Sequence, residues 1–299
     1  MPISFDDITA ARARLAPYLT ATPLRHYPAL DDETGARVLV KHENHLPTNA
    51  FKARNALSLM TALDPAQRTR GVVAATRGNH GAGLAWAGAQ LGVPVVICVP
   101  HGNSPEKNAA IRSHGAELVE IGRDYDEAVE AANRLVLDRG LVMAHSTNDV
   151  HVIAGAATLS VEICEQADRL DAIVVAVGGG SQAVGALVVT RALRPAVAVY
   201  GVQAARASAI HDGWRAGVPL QKSSADTFAD GLATRNCYDF TFAALRAGLC
   251  DFVTATEAEL ADAVRLCIRT LRSQRQVLVW APGYIFQEAF PCRGYLWNH

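Results

Sequence analysis

Between residue 38 and about residue 203 the chain alternates short apolar runs with longer stretches of helical period, and this constrains the fold more than any other feature. The runs "VLVKHE", "GVVAAT", "PVVICVP", "AELVEIG", "LVMAHS", "AIVVAVG" and "AVAVYGVQ" are strand-like. Val and Ile dominate several of them without in/out alternation, as suits strands buried on both faces, and βα order implies parallel sheets covered by helices. The expected fold class is therefore α/β, with open, mostly parallel twisted sheets flanked by helices. With 299 residues, the usual domain size of about 100–200 residues favours two domains. Residues 1–47 and 151–299 are expected to form a large domain, and 48–150 a small one.

Helix starts are marked chemically. Ser104-Pro105 reads as a cap followed by proline at the first helical position, and Thr256 with Glu259 as a capping box opening "EAELADAVRLCIRTL". The stretch from about 212 to 240 is irregular and rich in small and polar residues, so a long connection over the surface is expected. From Gln276 the chain changes character, concentrating Trp, Tyr and Phe in a sequence that is otherwise only 6% aromatic.

The charge balance, 28 basic against 29 acidic residues with no long like-charge block, argues against nucleic acid or an anionic membrane as partner. A small neutral or zwitterionic ligand fits better. Six cysteines show no CxxC pair, and Cys98, Cys164 and Cys267 lie in apolar runs, which suggests a reducing compartment. The first residues carry acids where a signal peptide needs bases, and no stretch reaches the roughly 18 uncharged apolar residues of a membrane span. A cytoplasmic, soluble protein is expected.

Three segments carry chemistry. In "DAIVVAVGGGSQAVGALVVTRAL" an apolar strand runs into Gly178, Gly179, Gly180 and Ser181 and then a helix, so backbone N–H groups and a helix N-terminus can converge on a phosphate. An ordinary tight βα turn also uses glycine. Gly178, Gly180 and Ala183 satisfy the loose dinucleotide pattern GxGxxA, but Gln203 stands where an acid is needed to hold the ribose, so an NAD-dependent oxidoreductase is disfavoured.

In "PTNAFKARNAL", Lys52 falls just inside a helix start. Such a lysine is ordinarily cationic and solvated. Here the positive end of the helix dipole, nearby Arg54 and burial would each disfavour the protonated form, leaving the neutral amine that Schiff-base chemistry requires. In "AATRGNHGAGLAWAGAQLG", Thr76, Arg77, Gly78, Asn79 and His80 make a polar turn whose N–H groups could bind a carboxylate.

Taken in order, these segments resemble the fold-type II pyridoxal-phosphate enzymes, the tryptophan synthase β-chain superfamily, and within it the threonine/serine dehydratase-like branch. "KHENHLPTNAFKARNAL" is similar to the family's Schiff-base segment, "ATRGNHG" to its substrate-carboxylate loop and "VGGGSQAVG" to its phosphate loop, over about Pro23 to Arg272. The resemblance implies pyridoxal 5'-phosphate as cofactor, held between the two domains. It implies Lys52 as the Schiff-base lysine, Phe51 packed on the cofactor, Asn79 bonded to its 3-hydroxyl, and Gly178, Gly179, Gly180 and Ser181 around its phosphate. Thr76, Gly78, Asn79 and His80 would bind the carboxylate of an amino acid substrate.

The implied reaction is β-elimination of water from a 3-hydroxy amino acid, giving a 2-oxo acid and ammonia. An amino acid racemase of the same fold is the alternative, and a homodimer is expected by resemblance. Asn49 replaces the family's usual glycine. "GVQAARASA" lacks the Glu and Asp of members with a divalent ion, so no metal is expected, and "HENH" reads as a strand-end turn. The family's glycine-rich "NLxEGAGA"-like stretch and late "SGGN"-like turn are missing, Cys292 in "PCRGY" being a poor substitute. A catalytically impaired member is the further alternative.

Overall fold

The computed structural model describes residue 1 and residues 3–270. The described residues divide into two compact units, one holding residues 3–20 and Leu46–Leu159, the other Ala21–His45 and residues 160–270. Among the described residues no helix is long and apolar enough to cross a membrane.

The first unit is built on a four-stranded, fully parallel sheet in the order Glu117–Glu120, Val95–Val99, Val72–Ala75, Val142–Met143. Every residue of the two central strands is buried. Their side chains divide by parity. Val72, Ala74, Val95, Ile97 and Val99 join a core with Leu57 and Met60 of the helix Lys52–Ala62 and Leu84 of the helix Asn79–Leu91. Val73, Ala75, Val96 and Cys98 join another with Ala128, Ala131 and Ala132 of the helix Tyr125–Arg139. Apolar residues are thus required at every position, which is why these runs show no alternation in sequence.

Glycine decides how closely the helices of this unit approach. A Cβ on Gly83 would lie 2.8 Å from the Lys52 carbonyl oxygen, and one on Gly155 would lie 2.5 Å from that of Arg54. Both neighbours are backbone atoms and cannot swing away. The first turns of the Lys52–Ala62 helix are therefore gripped by two other helices at distances that no side chain permits.

The second unit has a three-stranded parallel sheet, Ala172–Ala176, Ala198–Ala204 and Asp251–Ala255 in that order. The run "VLVKHE" supplies Leu39–Lys41, but it pairs antiparallel with Leu24–His26 in a separate two-stranded sheet, so it stands outside the βα rhythm it seemed to open. Both caps form as read: Ser104 caps the helix Pro105–Ser113, and Thr256 and Glu259 bond reciprocally at the start of Glu257–Thr270.

The stretch 212–240 departs from a plain surface connection. Its first residues finish the helix Ala209–Ala216, and Asp230–Leu232 forms a 3-10 turn. Leu232 is buried in a cluster with Val202, Ala204 and Ala255. An apolar anchor in a polar segment is a weak sequence signal.

Replacing Gly83 by alanine forces the helix pair apart at Lys52. Overpacking of this kind costs about 1–3 kcal/mol, so the thermal midpoint of Gly83→Ala should fall by several degrees. An unchanged midpoint would show that the contact can relax.

Candidate active site

Lys52 is the first residue of its helix, after Phe51, and no side chain caps that end. The residue as a whole is half-buried, and desolvation of its amine lowers the pKa from 10.5 to about 8. Of the three causes expected from the sequence, burial is the one that acts, and the Arg54 charge does not contribute. Nζ donates to the carbonyl of Ser146 at 2.8 Å and lies 5.1 Å from the centre of the Phe51 ring. Among the described residues no carboxylate pairs with it. A carbonyl dipole is a weak stabiliser of a buried ammonium, so the amine is readily neutral.

The chain enters this helix through Asn49, the one described non-glycine residue with positive φ, at 52°. The family's glycine has its physical reason here, since the left-handed conformation disfavours a Cβ, and asparagine is among the few residues that tolerate it.

Thr76 ends the strand Val72–Ala75, and Asn79 begins the helix Asn79–Leu91 with Gly78 as its cap. The Gly78 N–H donates to Thr76 Oγ1 at 3.2 Å. The N–H groups of Asn79, His80 and Gly81 have no acceptor among the described residues, as the first turn of a helix leaves them. His80 is buried, its Nε2 lies 2.8 Å from the carbonyl of Ala144, and its Nδ1 has no partner. A carbonyl only accepts, so Nε2 carries the proton and Nδ1 a bare lone pair. Burial, followed by the Lys52 charge, lowers the pKa to about 3, so the ring is neutral. A carboxylate near His80 can therefore be held by its backbone N–H but not by its ring.

In the second unit, the glycine turn lies between the strand Ala172–Ala176 and the helix Ser181–Leu193, with Gly180 at φ +98° as cap. A Cβ on Gly178 would lie 2.4 Å from the carbonyl oxygen of Gly231, so the segment 230–232 closes against the turn where no other residue fits. Buried Thr241 donates through Oγ1 to the Gly179 carbonyl at 2.8 Å. That bond fixes the carbonyl, while the N–H groups of Gly178, Gly179, Gly180 and Ser181 have no acceptor among the described residues. Four unsatisfied donors at a helix N-terminus fit a phosphate group.

From its sequence "LVMAHS" is expected only as a strand. In the structure Val142–Met143 is a two-residue strand, and the residues after it line the amine. Ala144 and Ser146 offer carbonyls to His80 and Lys52, and His145 Nδ1 accepts from the N–H groups of Thr147 at 3.0 Å and Asn148 at 2.7 Å. Burial and the Lys52 charge lower the His145 pKa. No motif could have flagged main-chain carbonyls, although a histidine at a strand end was a usable hint.

"HENH" forms a 3-10 turn at Glu43–His45, with His42 buried and its Nε2 2.8 Å from the Tyr27 hydroxyl. Gln203, fully buried, accepts from the His211 N–H through Oε1 at 2.9 Å, so this amide is turned inward. The aromatic tail from Gln276, with Cys292, lies outside the described residues.

Comparison with known proteins gives four relationships. The family described as pyridoxal-phosphate dependent enzyme matches residues 15–273. The chain is 33% identical to the L-threo-3-hydroxyaspartate ammonia-lyase of Pseudomonas sp, covering 90% of this chain and 84% of that one. It is 35% identical to the L-threonine ammonia-lyase of Thermotoga maritima, covering 88% of this chain but spanning only 65% of that enzyme's length. Among solved structures, maize serine racemase superposes with a TM-score of 0.88 at 28% identity, covering 91% of this chain and 82% of that one.

Two outcomes are expected. Capture of Lys52 by a small aldehyde and borohydride should climb about tenfold per pH unit below its midpoint of about 8 and level off above it. The sign follows from protonation: below the midpoint the amine is charged and unreactive. A midpoint near 10.5, the ordinary lysine value, in mass-mapped peptides would contradict the burial. Asn49→Ala should lose about 1–2 kcal/mol in denaturant unfolding, the cost of a left-handed residue, while Asn49→Gly should not.

Proposed function

The chain belongs to the pyridoxal-phosphate-dependent enzyme family, and from that premise we propose that it is an ammonia-lyase that removes water from a 3-hydroxy amino acid of the threonine or serine type. Its cofactor is pyridoxal 5'-phosphate. The observation that carries the proposal is the Lys52 amine, buried without a carboxylate and poised near pH 8 in the segment that resembles the family's Schiff-base lysine.

When bound, the cofactor supplies an aldehyde for amines and a ring that delocalises the electrons left at Cα. The chain supplies the rest. Lys52 Nζ would be the amine that holds the cofactor's aldehyde and, when free, the base placed to take the Cα proton. The Ser146 carbonyl steadies the ammonium so formed, at the 2.8 Å it already holds. By the family resemblance, Phe51 would pack on the cofactor and Asn79 would bond its 3-hydroxyl, and the N–H groups of Gly178, Gly179, Gly180 and Ser181, which have no acceptor among the described residues, would suit its phosphate. Thr76, Gly78, Asn79 and His80 orient the substrate carboxylate, His80 through its main chain. The proton lost from Cα and the hydroxyl lost from Cβ leave as water, and hydrolysis of the resulting enamine gives a 2-oxo acid and ammonia.

The similarity to maize serine racemase keeps racemisation as the second reading, in which the proton returns to the opposite face of Cα. A homodimer and a cytoplasmic location complete the proposal. The free thiols of the described cysteines suit a reducing compartment, and light scattering tests the dimer.

Adding pyridoxal phosphate should produce a band near ~410–430 nm, expected for the cofactor on an activated lysine, that Lys52→Ala abolishes. Turnover of serine or threonine to a 2-oxo acid should fall about 10²–10⁴-fold in that variant, the usual worth of a general base. A band that survives Lys52→Ala would sink the assignment, and a band without turnover would identify an impaired member. D-amino acid on a chiral column would favour the racemase.

A further inference from the structure

A turn made of successive glycines can point its peptide groups either way. A trans peptide sets its carbonyl and its N–H on opposite sides, so a half-turn of the plane between Gly179 and Gly180 exchanges a donor for an acceptor. With glycine on both sides of that plane, the backbone angles before and after the flip are sterically open. In one sense the Gly180 N–H stands free with those of Gly178, Gly179 and Ser181, none of which has an acceptor among the described residues, and the turn suits an anion. In the other sense the Gly179 carbonyl takes its place and repels one.

One side chain holds the first sense. Thr241, the third residue of the helix Asp239–Gly248, is fully buried, and its Oγ1 donates to the Gly179 carbonyl at 2.8 Å. The Tyr238 carbonyl competes for that proton from 3.3 Å, and a hydroxyl has a single proton to give, so the shorter bond takes it. No other donor reaches the Gly179 carbonyl among the described residues. The support is rigid. A Cβ on Gly180 would lie 3.1 Å from Thr241 Cβ and 2.9 Å from Leu245 Cδ1, and one on Gly248 would lie 2.8 Å from Cδ1 of Leu187 in the helix Ser181–Leu193. The helix that carries the hydroxyl is thus fastened to the helix that follows the turn.

We propose that Thr241 is the positioning residue that sets the polarity of the glycine turn, its hydroxyl keeping the Gly179–Gly180 peptide in the sense that offers an N–H to the cofactor phosphate. The inference builds on the assignment of this turn to the phosphate, and adds to it a residue 62 positions away that acts through Gly179. Without the hydroxyl the carbonyl has no partner to lose, and the flipped, anion-repelling form becomes accessible.

Alanine and serine at 241 both lack the threonine methyl and differ only in the hydroxyl, so a packing role affects them alike. On the full-length chain, titration with pyridoxal 5'-phosphate and with pyridoxal, which has no phosphate, reads the absorption band that each aldehyde gives, and calorimetry reads inorganic phosphate by itself. In Thr241→Ala the dissociation constants of pyridoxal phosphate and inorganic phosphate should rise about 10–100-fold, the worth of one hydrogen bond to a charged group, while that of pyridoxal stays unchanged. In Thr241→Ser all three should stay near wild type.

Equal behaviour of the alanine and serine variants, or an alanine variant that loses pyridoxal as much as its phosphate, would overturn the proposal. Where Thr241→Ala does not fold, Thr241→Val, which keeps the shape without the hydroxyl, stands in the same comparison. Gly180→Ala, strained at φ +98° and crowded by Leu245, separates the proposal from the assignment beneath it. A preference for the phosphorylated aldehyde that is lost in Gly180→Ala but kept in Thr241→Ala overturns the role of Thr241 alone. A preference kept in both overturns the phosphate assignment of the turn as well.

Discussion

Everything at this site depends on keeping one amine buried without a compensating carboxylate. Taking an ammonium out of water is costly, and the protein meets that cost by letting the proton go: burial brings Lys52 to about 8. Among the described residues its acceptor is the Ser146 carbonyl. A carboxylate in that place would hold the proton and silence the nucleophile. Backbone packing keeps the arrangement from relaxing, because Gly83 and Gly155 bring neighbouring helices within reach of the Lys52 and Arg54 carbonyls. The lysine is presented by main chain that has nowhere to move.

The same economy governs the anion-binding turns. Each offers backbone N–H groups at a helix start. Each is a strand running into a helix whose first N–H groups lack acceptors among the described residues, and at the second turn Gly178 admits the Gly231 carbonyl where a Cβ would lie 2.4 Å from it. Backbone donors are rigid and need no ordering when an anion arrives. Burial lowers the pKa of both His80 and His145, which disfavours charge on either ring close to the amine.

The α/β class, the central strands and two helix caps were legible in the sequence because each depends on local pattern. Runs such as "PVVICVP" must be apolar throughout when both faces of a strand are covered, and Ser104 and Thr256 cap by bonds three residues away. The lysine, carboxylate and glycine segments could be read for the same reason: residue type, spacing and a following helix announce them. Asn49 was visible only as a departure, and its meaning waited for the backbone angle of 52°.

The order of the elements and the chemistry each loop can offer were thus determined by the sequence itself, as properties of neighbours along the chain. Tertiary structure alone decided that "VLVKHE" pairs antiparallel with Leu24–His26, that Leu232 anchors an otherwise polar segment, and that Ala144 and Ser146 turn carbonyls toward His80 and Lys52. Lys52 and Ser146 are 94 residues apart. Pairing partners and main-chain acceptors leave no mark on residue identity, because every residue carries the same carbonyl, and only the fold chooses which of them meets the amine.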